Sequence, residues 1–394
     1  MKQKRLPRLP PALKKGAPPP TVITTPRVSP AEALNRRRSQ GKLYFERVYP
    51  HREPAAEPEY QKWRASFLAS AYGDSMGMPF ESKPPIEQWE VHREWVQSLT
   101  DPTNTFKEYL QKGGWTDDTQ LKVAVMESIL SAGGVDMESI ADYHVRSYNV
   151  GPRGWGGSTR ESVQRLKRGV PWQRSGKAHG AGNGIAMKVG PIGALYGIRY
   201  GQTIEPGSGR WSAKGVNLYS RLANDIRNIA IMTHLDTRAI VSGFVQAVLV
   251  AWALNGISPQ QNWNVLMDKV RKLEEIFPKT DTSFSSRLEF IERNPDRDIE
   301  FYAHLFRTGC FVLESHVFSI ATYMKLMDDP IKAVQAAVHA GGDCDTTASI
   351  VGELCGAYSG SFSPPDLEDL EEYQQLSGVC NEFYRFAKHQ FNVL

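Results

Sequence analysis

Cysteine is scarce in this chain. Its 394 residues include only Cys310, Cys344, Cys355 and Cys380. No two form a CxxC pair, and their spacing makes no secreted-type disulfide framework, so reduced thiols and a cytoplasmic location are expected. Long apolar runs are also missing. The closest, Ala239–Leu254, is interrupted by Ser242, Gly243 and Gln246 and reads as a buried core helix, not a bilayer span. The N-terminus has no apolar signal-peptide core, and its prolines argue against an amphipathic transit helix. Residues 1–30 hold eight prolines and no aromatic residue, which excludes a packed core there and predicts an extended or disordered arm. Alternating β-type patterns are few.

Charge is unevenly spread. The net +4 conceals eleven Lys/Arg against the single acid Glu32 in residues 1–45, which leaves 36 basic against 42 acidic residues in the remainder. The arm is strongly basic and the body mildly acidic. Within the arm, Ser29-Pro30-Ala31-Glu32 reads as a short helix start with a capping box. Hydrophobic residues at 41% and charged residues at 23% fit a soluble globular body. From Glu59 onward the apolar residues recur with a helical period: Tyr60, Trp63, Phe67, Leu68 and Ala71 first, then segments such as 121–130, 137–148, 185–196, 216–232, 238–254, 311–327 and 348–358. The reading is one compact all-α domain over residues 59–394 behind a basic, Pro-rich arm over residues 1–58. Residues 201–215 and 278–299 read as polar loops.

Two acidic segments stand out. Thr116-Asp117-Asp118 follows Gly113-Gly114-Trp115 and runs into the helical pattern 121–130. Asp343-Cys344-Asp345-Thr346 follows Gly341-Gly342 and runs into the pattern 348–358. Each could serve as a helix N-cap. Crowded carboxylates also repel one another unless a cation or proton lies between them, and oxygen-only clusters suit hard cations. Capping and metal binding are compatible, and the repeated layout favours a metal held between two distant segments. Glu81, after Gly73-Asp74-Ser75-Met76-Gly77-Met78-Pro79, is a candidate further carboxylate or a surface residue on a turn.

Two glycine-rich loops accompany the acids. Gly180-Ala181-Gly182-Asn183-Gly184 opens toward Ile185-Ala186-Met187-Lys188, a pattern that exposes backbone N–H groups for phosphate. It is not a P-loop or a dinucleotide fingerprint, because the Lys-Ser/Thr pair and the preceding strand are missing. Gly151-Pro152-Arg153-Gly154-Trp155-Gly156-Gly157 is the second, where Gly154 could contact a ligand and Trp155 could stack on a base or ribose. His234 and His339 read as core or capping histidines, with a catalytic role as the alternative.

Gly-Asp-x-x-Gly-x-Pro-x-Glu (73–81), Trp-Thr-Asp-Asp-Thr-Gln (115–120), Gly-Asn-Gly-x-Ala-Met (182–187), Thr-His (233–234) and Gly-Gly-Asp-x-Asp-Thr-Thr (341–347) occur in the order seen in the ADP-ribosylglycohydrolase family, which the chain resembles over about residues 60–360. The resemblance implies an all-α orthogonal multi-helix fold with two Mg²⁺ (or Mn²⁺) ions held by Thr116, Asp117, Asp118, Asp343, Asp345 and Thr346. It implies catalytic roles for Asp117, Asp118 and Glu81, and an ADP-ribose site at Gly182, Asn183, Gly184 and Lys188, to which the 151–157 loop would add Gly154 and Trp155. Lys188 stands where the family usually has Arg, which weakens a bidentate contact. The expected partner is an ADP-ribosylated protein, with ADP-ribosyl-arginine the favoured linkage. The alternatives are an immunity protein whose residues 1–58 block an ADP-ribosyltransferase toxin, and a non-enzymatic, crystallin-like member. Neither a membrane nor a nucleic acid is the expected partner.

Overall fold

The computed structural model describes residues 45, 48–50, 56–82, 98–101, 110–276 and 283–389. The chain divides into two units, Met1–Leu43 and Tyr44–Leu394. Most of the basic Pro-rich arm expected over residues 1–58, including the helix start at Ser29, lies outside the described residues.

Among the described residues, fifteen α-helices build the second unit: α1 Pro58–Gly77, α2 Asp117–Ala132, α3 Met137–Val150, α4 Gly157–Lys167, α5 Trp172–Ser175, α6 Gly190–Tyr200, α7 Leu218–Thr233, α8 Thr237–Leu254, α9 Trp263–Ile276, α10 Phe284–Arg293, α11 Ile299–Phe306, α12 Val312–Leu326, α13 Pro330–His339, α14 Cys344–Ser359 and α15 Tyr373–His389. Their ends carry ordinary punctuation. The side chains of Asp136, Asn217, Asp236, Ser283, Asp298 and Asp329 each accept a first-turn N–H, and α2 and α14 end on left-handed Gly133 and Gly360.

The centre of the fold is the antiparallel pair α1 and α14. A Cβ on Gly73 would meet the Ala348 carbonyl, one on Gly77 the Asp345 amide nitrogen at 2.5 Å, one on Gly352 the Ala69 carbonyl and one on Gly356 the Ala65 carbonyl. Each helix therefore presents two glycines one turn apart to the other backbone, and no larger residue fits. Helix α13 packs on the same pair, and α8 packs on α6, α7 and α14. Among the described residues, α8 is the one helix long and apolar enough to cross a membrane, and 89% of it is buried inside the fold. Tyr49 also packs on this body: its N–H reaches Gln375 Oε1 at 2.9 Å and its hydroxyl reaches Glu127 Oε1 at 2.9 Å.

Three elements differ from the sequence-based expectation. The stretch 201–215 is not irregular throughout: Ile204–Glu205, Arg210–Ala213 and Val216–Asn217 form a small antiparallel sheet that pairs Ile204 with Trp211 and Ser212 with Asn217. The stretch 278–299 contains helix α10, anchored by buried Phe284, Leu288 and Ile291, whose spacing of four and three was masked by the polar residues around them. The first helix does not end before Gly73 but runs to Gly77, because the two glycines pack instead of breaking it. A two-residue parallel ladder, Lys177–Ala178 with His234–Leu235, sets Lys177 opposite His234 and brings that histidine to the 180–184 loop.

Candidate active site

Helix α2 begins against α1, and its first turn is capped from outside. Thr116 is the N-cap residue, but its hydroxyl does not cap its own helix. It donates to Asp74 Oδ1 at 2.7 Å, while Asp74 also accepts from the N–H groups of Thr116 and Thr119 at 2.9–3.0 Å and from the Thr119 hydroxyl at 2.7 Å. Asp74 thus satisfies the orphan N–H groups that a local Asp would otherwise take. The cap reading of Asp117 and Asp118 gives way accordingly. Asp118 keeps Oδ1 buried with no hydrogen-bond partner, and its Oδ2 accepts the Thr346 hydroxyl at 3.0 Å.

The second acidic segment enters through a left-handed turn at Gly341 and Gly342. Gly342 abuts Thr308, and the Asp343 N–H donates to the Thr308 carbonyl at 2.7 Å. Ser82 donates its N–H to the Gly342 carbonyl at 2.6 Å, which ties the Glu81 turn to the same place. The result is two triads of carboxylates, Asp74–Asp118–Asp345 and Glu81–Asp343–Asp345, each with ligand oxygens within 4.8 Å of one another. Asp345 belongs to both. The unpartnered Asp118 oxygen and the all-oxygen donor set fit a hard divalent cation.

The electrostatics agree with that fit. Burial, then the carboxylates of Asp74, Asp345 and Asp117, push the Asp118 carboxyl well above its ordinary range. Burial, then Asp345 and Glu81, do the same to Asp343. Asp74 is raised by burial and by Asp345, against the hydrogen bonds from Thr119 and Thr116. Nearby positive charge is what such a cluster needs to ionise together.

Above the carboxylates is a cavity of about 240 Å³. Its acidic lining is Glu81, Asp117, Asp343 and Asp345; its other walls are Gly154, Gly156, Gly157, Ser158 and Thr159 at the start of α4, and Gly182, Asn183, Gly184, Met187, His234, Cys310 and Thr346. Among the described residues, no Lys or Arg lines it. The 180–184 loop is pinned to α12 and its approach, with Val312 N–H donating to the Ala181 carbonyl at 3.0 Å and Asn183 N–H to the Cys310 carbonyl at 3.1 Å. The Asn183 amide donates to Asp343 Oδ2 at 2.7 Å and to Ser315 Oγ at 3.1 Å, so this side chain orients a carboxylate. Gly184 lies flat on the His234 ring, where a Cβ would come within 2.9 Å of Cε1.

Two expected ligand contacts fall behind the cavity wall. Trp155 is 2% exposed; its Nε1 donates to Gln120 Oε1 at 2.6 Å and its ring meets Tyr148 edge-on. Instead of stacking on a base, it anchors the 151–157 loop to α2. Gln120 is the hub of that anchor, also accepting from Arg153 N–H at 3.2 Å and donating to the Gly151 carbonyl at 3.0 Å. Lys188 is fully buried, and its Nζ turns to Thr233 Oγ1 at 3.1 Å, not into the cavity. Burial pushes its ammonium down to about 7. His234, expected as a core or capping residue, is buried yet forms part of the cavity wall, with Nδ1 2.9 Å from Thr233 Oγ1. Asp74 was missed as a site residue because the expected first helix stopped short of it, so it read as part of the turn leading to Glu81. The signal available was its place between Gly73 and Gly77.

A family model described as ADP-ribosylglycohydrolase matches residues 55–391. The chain is 25% identical over 359 residues to ADP-ribosylhydrolase ARH3 of Homo sapiens, covering 82% of this chain and 93% of that protein. It is 22% identical over 352 residues to ADP-ribosylarginine hydrolase Tri1 of Serratia proteamaculans, covering 86% and 83%. A solved ADP-ribosylglycohydrolase-related protein complex superposes with a TM-score of 0.56 at 22% identity, covering 84% of this chain and 99% of that one, which shows the shared fold. With the model spanning nearly the whole described body and the acidic segments meeting under one cavity, the chain belongs to the ADP-ribosylglycohydrolase family.

Proposed function

We propose that the protein is a divalent-cation-dependent hydrolase that removes ADP-ribose from modified arginine side chains. The observation that carries this reading is the pair of carboxylate triads sharing Asp345 beneath a cavity walled by glycine loops. Two cations, Mg²⁺ or Mn²⁺, held by these triads with Thr116, Asp117 and Thr346 would supply Lewis acidity and a fixed point for the ribose hydroxyls. The chain's own residues do the rest. Asp117 and Glu81 face the cavity and are placed to accept a proton from the attacking water. The same carboxylates stabilise the positive charge that develops on the ribose ring as the glycosidic bond breaks. The segments Gly154, Gly156–Thr159 and Gly182–Gly184 and the His234 ring form the wall against which the ADP-ribose lies. Arginine is favoured as the released side chain because four carboxylates line the cavity, which suits a guanidinium.

The test is release of ADP-ribose from arginine- and serine-ADP-ribosylated proteins, with Mg²⁺ or Mn²⁺ and with EDTA. Release from the arginine substrate alone, lost in EDTA, is expected. Faster release from the serine substrate would overturn the linkage, and no release from either with both metals would overturn the hydrolase reading.

A further inference from the structure

One turn behind the inner carboxylate triad lies a second layer built from the same three helices. Asp74, Asp118 and Asp345 come from α1, α2 and α14; Ser70, Lys122 and Ser349 are each four residues away on those helices, one turn further into the core. Lys122 Nζ donates to Ser70 Oγ and to Ser349 Oγ (3.0 Å), and the two hydroxyls are 2.9 Å apart. Its ammonium is 3.5 Å from Glu353 Oε1, with the two side chains 1% and 0% exposed. Glu353 is held in turn by Gln246 Nε2 at 2.6 Å, and Gln246 Oε1 is 3.1 Å from His316 Nε2. Gly190 leaves the room that this carboxylate fills.

A buried ion pair is poor evidence for stability by itself, since removing two charges from water costs about as much as their attraction returns. Its position is more telling. The ammonium lies one turn behind the crowded carboxylates, where its charge acts on Asp118, whereas Glu353 is a further turn along α14, so the site sees a fixed cation. We propose that Lys122 is a positioning residue that acts as a built-in counter-cation: it lets α1, α2 and α14 close around Asp74, Asp118 and Asp345 before a divalent ion arrives, and it sets how tightly that ion is held. The inference rests on the divalent-cation reading of the triads, not on the identity of the substrate.

The charges predict shifts of opposite sign for two variants of the metal-stripped full chain, titrated with Mn²⁺ and followed by calorimetry and melting temperature. Lys122→Met/Glu353→Gln removes the nearer positive and the farther negative charge. It should bind Mn²⁺ on the order of tenfold more tightly and lose melting temperature chiefly in EDTA. Glu353→Gln alone leaves the ammonium unbalanced and should bind Mn²⁺ more weakly than the wild type. Lys122→Arg should restore both quantities toward wild type. A double variant that folds only with Mn²⁺ supports the inference. Affinities within about twofold of wild type in both variants, with equal stability losses with and without metal, would reduce Lys122 to packing and overturn it. If the double variant folds under neither condition, the sign of the Glu353→Gln shift decides. Because the readout is metal affinity, these shifts can stand even where no ADP-ribose is released, so failure of the hydrolase reading is distinguishable.

Discussion

Asp345 is the residue on which both carboxylate triads depend, and its charge is among the causes that raise Asp74, Asp118 and Asp343. Removing that charge has opposite effects on function and on the metal-free fold. Asp345→Asn should lower ADP-ribose release by about a thousandfold or more and abolish stabilisation by Mg²⁺. In EDTA the same variant should be more stable than wild type by about 1–2 kcal/mol, because a repelling neighbour is gone. Melting curves with and without metal check this; a loss of stability in EDTA would show that the Asp345 charge strengthens its bond from the Thr346 N–H (2.9 Å) by more than it costs in repulsion. Thr116, Asp117, Asp118, Asp343 and Thr346 could be picked out as one group from sequence because acids beside helix starts are unusual in pairs. Asp74 could not, because its role depends on which helix end packs against it.

At the scale of elements, the α1–α14 contact decides where the ligands stand. Gly77 meets the backbone of Asp345 at the site, whereas Gly356 meets Ala65, about three turns further down α14. Both Gly77→Ala and Gly356→Ala should destabilise by about 1–3 kcal/mol through overpacking. Only Gly77→Ala should also weaken divalent-ion binding, since the backbone that must yield carries a ligand. Urea unfolding beside a metal titration separates the two effects. The loop 151–157 has a comparable dependence on Gln120. Gln120→Leu should loosen Trp155 and Arg153, raising KM for the substrate severalfold while costing about 1–2 kcal/mol from the unpaired groups left behind; an unchanged KM would show that the loop holds its shape without that hub.

For the whole molecule, burial of ionisable groups makes stability depend on pH. His144, His234 and His316 are each pushed down to about 3 by burial. A group depressed in the folded state gives full stability above its unfolded pKa, near 6.5, and loses it as pH falls toward 3. Each therefore costs up to about 1.4 kcal/mol per pH unit below that point. The raised carboxylates act in the other direction in metal-free protein, so a difference between variants is the cleaner measure. Between pH 6.5 and 5.5, wild type should lose about 1 kcal/mol more than His316→Gln, read from urea midpoints; parallel losses would mean that His316 is protonated within the fold.

The sequence alone determined the helical class, because an apolar period near 3.6 is written in the order of residues and needs no partner to be read. It also made the two acidic helix starts legible as one candidate site, since crowded carboxylates beside hydroxyls favour a hard cation. The tertiary structure decided which residues share that site. Packing through four glycines set α1 against α14, made Asp74 the cap of α2, and put Lys122 behind the carboxylates. It also turned Trp155 and Lys188 away from the cavity and His234 into its wall. Those choices depend on distances between segments far apart in the chain, which local pattern does not carry.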